Sequence, residues 1–208
     1  MTLADFDLYR FLSDRARVRL MVYAGLAALA LGLGMSHIGG SLKTGGAPWG
    51  IISLELAHTP DQAQAVLASW DAAARVDAGL VVGLDFVFAL SYVLFLSLMC
   101  MQLAGQLYSW HRVAALVGVV LSWAVVLAGV ADVVENVALI QMLRGSELPL
   151  WPTVAYWSAV PKFVTILLSV VFCFWGWLFY LNSVALHQFR EGMRAADAGA
   201  ASSRDSRD

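Results

Sequence analysis

Four runs of apolar residues, at about 18–35, 79–104, 113–143 and 154–181, take up most of this 208-residue chain and decide what it can fold into. A helix needs about 20 apolar residues to cross a hydrocarbon core of about 30 Å, and each run reaches that length, the first only just. Composition agrees: 60% of residues are hydrophobic and 13% charged, with a mean hydropathy of +0.72. A soluble domain carries about 25% charge. The reading is a one-domain, all-α polytopic membrane protein, a four-helix antiparallel bundle over 18–182.

The basic residues orient it. Arg10, Arg15, Arg17 and Arg19 precede the first span, Arg112 lies between spans two and three, and Arg190, Arg194, Arg204 and Arg207 follow span four. Lys43, Arg75, Arg144 and Lys162 fall on the other side. Short loops rich in Lys and Arg stay in the cytoplasm, which puts both termini there. SHIGGSLKTGG follows the first span in place of a small-residue cleavage site, so that span reads as a retained anchor. The short QLYSWHR link makes spans two and three antiparallel neighbours. A net charge of −2 gives no reason to expect nucleic acid as a partner. Membrane lipids are the expected surroundings, with a second copy or another membrane protein as further partners.

Ionisable residues interrupt these spans. Asp85 sits in GLVVGLDFVFAL, Asp132 and Glu135 in VVLAGVADVVENVALI, and Lys162 opens KFVTILLSVV. A carboxylate at mid-bilayer costs about 2.5–3.5 kcal/mol, so such groups face a partner, a cavity or a pathway. Under the topology above, all of them come to one depth near the extracytoplasmic face. Asn136 lies beside Glu135, Tyr92 is two turns from Asp85, and IISLELA carries Glu55 on a segment that could dip toward the same place. Glu55, Asp85, Tyr92, Asp132, Glu135, Asn136 and Lys162 are therefore the candidate ligand- or ion-binding residues. Acids in excess of one lysine take up protons or bind a cation, unless Arg75 reaches in. The structural alternative is an ion-pair network that only fixes helix packing.

A divalent cation would find oxygen ligands in Asp132 and Glu135, with His37 and His58 on the same side as further donors, although neither histidine sits in a metal-binding motif. No haem, nucleotide or flavin motif is visible. Gly118, Ser122, Val125, Gly129, Asp132 and Asn136 recur at steps of three and four, a small-residue face for close packing. Lys162, Thr165, Ser169, Cys173 and Gly176 make a similar stripe. Cys100 and Cys173 form no C-x-x-C pair and read as small apolar side chains at different depths, which disfavours a disulfide.

The external loop, 36–78, contains a capping-box signature, Thr59-Pro60-Asp61-Gln62. Ala63, Val66, Leu67, Trp70 and Ala74 follow on one stripe, which predicts an amphipathic helix at the interface. Residues 1–17 read as an amphipathic cytoplasmic lead-in and 183–208 as a disordered cytoplasmic tail.

The order LELA, TPDQAQAVLASW, LDFVFALSY, ADVVENVALI and a Lys-Phe opening the last span resembles a family of uncharacterised bacterial four-helix integral membrane proteins. The resemblance covers roughly Gly50 to Leu181 and includes Glu55, Trp70, Asp85, Tyr92, Asp132, Glu135, Asn136 and Lys162. It implies the architecture and a place in the bacterial inner membrane, and no activity. Three functions remain open: a site for an ion, small ligand or lipid headgroup; an enzyme acting on a lipid or isoprenoid; and a structural or assembly subunit.

Overall fold

The computed structural model describes residues 6–146 and 148–205, and no strand occurs among them. Six α-helices follow one another: α1 (Asp14–Ile38), α2 (Ile51–Glu55), α3 (Pro60–Ala68), α4 (Ala72–Leu107), α5 (Arg112–Leu143) and α6 (Leu150–Asp205). Among them α1, α4, α5 and α6 are long and apolar enough to cross a membrane.

Side-chain caps set the starts of two of the long helices. Ser13 accepts from the Ala16 N–H, opening α1 at Asp14. Asp71 accepts from the Ala74 N–H at 2.8 Å, so α4 begins at Ala72, well before the apolar run at 79. The intervening AAARVDAG is too polar to count as a span yet forms helix readily. α6 likewise continues as helix to Asp205, through the segment expected to be a disordered tail. Its alanines and long charged residues favour helix. Residues 1–5 and 206–208, part of the expected lead-in and tail, lie outside the described residues.

α4 is central. It packs against α1 on one side and α5 on the other, while α6 packs along α5 and less extensively on α4. Asp85 pairs with Asn136, Tyr92 with Asp132 and Ser97 with Ser122, so numbers rise along α4 as they fall along α5. Small residues permit the approach. A Cβ on Gly118 of α5 would stand 3.0 Å from the Cys100 carbonyl oxygen and 2.9 Å from Ala104 Cβ of α4.

Residues 39–71 fold over one end of the long helices as a cap. Its core joins Leu42, Leu54 and Trp70 to Val82 of α4 and Leu139 of α5, and Trp70 Nε1 donates to the Leu42 carbonyl at 2.8 Å. The capping box is present: Thr59 Oγ1 accepts from Gln62 N, and Gln62 Oε1 accepts from Thr59 N. α3 ends at Ala68, so Trp70 lies in the link to α4 and Ala74 on α4 itself. Partway along α5, on the hairpin side of the cluster, Trp123 Nε1 donates to the Phe6 carbonyl, and Tyr9 is buried against Leu98, Met101 and Val119.

The two cysteines correct the sequence reading. Cys100 and Cys173 are free thiols, but their Sγ atoms stand 3.7 Å apart. Counting residues from Asp85 and from Lys162 puts the cysteines about one turn out of level. Asp85, however, pairs with Asn136 while Lys162 pairs with Asp132, one turn deeper, and this stagger brings the cysteines level.

Candidate functional site

Asp132, Glu135 and Asn136 recur at steps of three and one on α5 and so share one helix face. That face turns inward, with all three no more than 1% exposed. Lys162, directly after Pro161 on α6, meets it: Nζ donates to Asp132 Oδ1 at 2.9 Å and stands 2.7 Å from Glu135 Oε2. The second contact is a charge contact without hydrogen-bond alignment. From α4, Tyr92 donates its hydroxyl proton to Asp132 Oδ2 at 2.8 Å, and Asp85 Oδ2 accepts from Asn136 Nδ2 at 2.8 Å. Lys162 and Tyr92 are buried and Asp85 half-buried.

The seventh member comes from the cap. Gly50 adopts φ 62°, a left-handed conformation that turns the chain into α2. Leu54 and Glu55 then point inward, while Ile52 and Leu56 stay exposed. The Glu55 carboxyl lies near that of Glu135, close enough for the two to interact. Burial pushes Glu55 above the ordinary carboxyl range; Lys162 opposes the shift, Asp132 adds to it, and the Glu135 contact opposes it.

Four carboxyl groups thus surround one ammonium, and full ionisation would leave a net −3. Arg75 does not compensate: its guanidinium is engaged by the carbonyls of Leu67 and Trp70. Glu135 Oε1 is buried and has no hydrogen-bond donor. Ionised carboxylates only accept, so a proton shared with Glu55 would supply the missing donor. Such a pair binds its proton jointly.

His37 and His58 are not brought into the cluster by any contact. His37 is exposed near the end of α1, and the His58 ring packs on Tyr156 at 4.7 Å. Among the described residues, no group of three or more His, Cys, Asp or Glu has the arrangement of a metal site.

The site is closed on two sides. Toward the cap it is covered by the core around Leu42, Leu54 and Trp70. Toward the hairpin end, Leu96 and Val125, with Val93 and Ile166, form an apolar layer beyond Tyr92. Beyond that layer lies a second polar contact, the Ser97 and Ser122 hydroxyls at 2.8 Å. Ser122 belongs to the small-residue face of α5, and Ser97 on α4 is a partner for it that no stripe in the sequence marks. A serine at buried depth on each of two adjoining spans is the signal that was there to find.

No protein-family profile, no curated protein and no solved structure matches this chain. Its function has to be read from its own residues.

Proposed function

We propose that this chain is a four-span antiparallel protein of the bacterial inner membrane, with both termini cytoplasmic, whose carboxyl cluster binds and releases protons on the extracytoplasmic side. The buried, donorless Glu135 Oε1 among four carboxyls and one ammonium carries the reading. Depth supports the placement. Tyr108 and Trp110, exposed at the hairpin end, suit one interface, and Asp85 lies about 35 Å away at 1.5 Å per helical residue. A hydrocarbon core of about 30 Å therefore leaves the cluster near the opposite interface. The cap, with exposed Trp49, Ile52 and Leu56, would rest there against headgroups. Half-buried Asp85, the least covered acid of the cluster, is the route of exchange in this reading, and the apolar layer beyond Tyr92 bars the hairpin side.

A second reading has its own observation. Lys162 is held between Asp132 and Glu135 at ion-pair distances, the arrangement of a network that fixes helix packing. Infrared difference spectra between acid and alkaline pH separate the two. A working proton site gives a protonated-carboxyl C=O band that titrates in the wild type and is lost in Glu55→Gln and Glu135→Gln. A spectrum without that band, in protein that remains folded, would leave only the structural reading.

A further inference from the structure

The thiol pair lies apart from the carboxyl cluster and is independent of the function proposed for it. Cys100 on α4 and Cys173 on α6 bring their sulfurs to 3.7 Å, and disulfide formation requires an approach to about 2.05 Å. Cys173 also forms part of the wall of a groove of about 390 Å³ between α4 and α6, with Phe95, Met99, Phe174, Trp177 and Leu178. The groove wall is almost wholly apolar and lies within helices long enough to cross a membrane. Its occupant must therefore dissolve in the acyl region, and the three aromatic rings suit a flat partner. Two adjacent thiols form a two-electron donor, so the fitting partner is a two-electron acceptor.

We propose that Cys100 and Cys173 are a redox pair oxidised to a disulfide by a lipid-soluble quinone seated in this groove. Cys173 Sγ bonds to a ring carbon of the quinone as its proton passes to one quinone oxygen. Cys100 Sγ then attacks Cys173 Sγ, forming the S–S bond and breaking the S–C bond. The electron pair of that bond stays on the ring, and the Cys100 proton goes to the second oxygen. Two thiols and one quinone give one disulfide and one quinol. A thiolate left bare in this apolar setting would be costly, so each proton moves with its sulfur's bond change. The product would tie α4 to α6, which pack together less extensively than α5 and α6 do.

The test uses the full-length reduced protein in lipid nanodiscs, exposed without oxygen to a short-chain benzoquinone. The mixture is then acid-quenched, denatured and alkylated with a maleimide for intact-mass measurement. The expected result is loss of both maleimide adducts with formation of one quinol per disulfide, and no quinol from Cys100→Ser or Cys173→Ser. Leu178→Trp, which fills the groove, should slow oxidation by the quinone but not by diamide, a small thiol oxidant. Wild-type protein that keeps both thiols in the presence of the quinone overturns the proposal. So does equal quinone oxidation of wild type and Leu178→Trp, because the groove is then not the route.

Discussion

Replacing Lys162 by methionine keeps much of the side chain's length and removes the one ammonium in contact with Asp132 Oδ1 and Glu135 Oε2. Both acids are essentially unexposed, so water cannot replace the lost partner. Breaking a buried pair from one side costs about 3–5 kcal/mol, because an uncompensated charge stays behind. Equilibrium unfolding in mixed micelles should show a loss of that size at neutral pH. Protonation is the remaining relief for the stranded carboxylates, so the loss should shrink as pH falls. Asp132→Asn should restore much of it in the double variant, since an asparagine oxygen can still accept from Tyr92. The double-mutant cycle would then report a Lys162–Asp132 coupling well above the few tenths of a kcal/mol seen for independent sites. A Lys162→Met loss below about 1 kcal/mol, with no pH dependence, would refute the reasoning: exposed pairs behave in that way.

Three further outcomes follow from the same contacts. Tyr92→Phe removes a hydrogen bond to a carboxylate and should cost about 1.5–3 kcal/mol in the same unfolding assay. Trp70→Ala empties the centre of the cap core and strands the Leu42 carbonyl; it should cost about 3–5 kcal/mol and speed labelling of a cysteine at Val66 by an impermeant maleimide. The third concerns Glu55, whose folded-state pKa is raised, so its stabilisation is complete below the ordinary carboxyl range and is lost as pH rises through the folded value. Cap opening, read by labelling at Val66, should therefore increase with pH beyond the reagent's own dependence, and Glu55→Gln should remove that excess.

The long helices were legible because an apolar run of span length has few other places to go. The convergence of Asp85, Asp132, Glu135 and Lys162 was legible as well, because a rise of 1.5 Å per residue turns sequence distance into depth once the spans are paired. The stagger between spans was not. One turn of offset separates Asp85 from Lys162, and that turn hid the meeting of Cys100 and Cys173. Helix ends were missed for a related reason: hydropathy marks the lipid-facing stretch, whereas Asp71 and the alanine-rich tail govern where helix starts and continues. The dip of IISLELA was legible as a possibility of the loop, but the Glu55–Glu135 contact depends on the turn at Gly50 and on how the cap packs.

The most direct test of the central claim is sidedness of proton exchange. The protein would be reconstituted in one orientation in sealed liposomes, and the protonated-carboxyl infrared band followed after a pH jump on one side at a time. The account predicts that the band follows pH on the side bearing the cap, ignores a jump on the hairpin side, and vanishes in Glu135→Gln. A band that follows the hairpin side, or that follows neither while the protein stays folded, would contradict it.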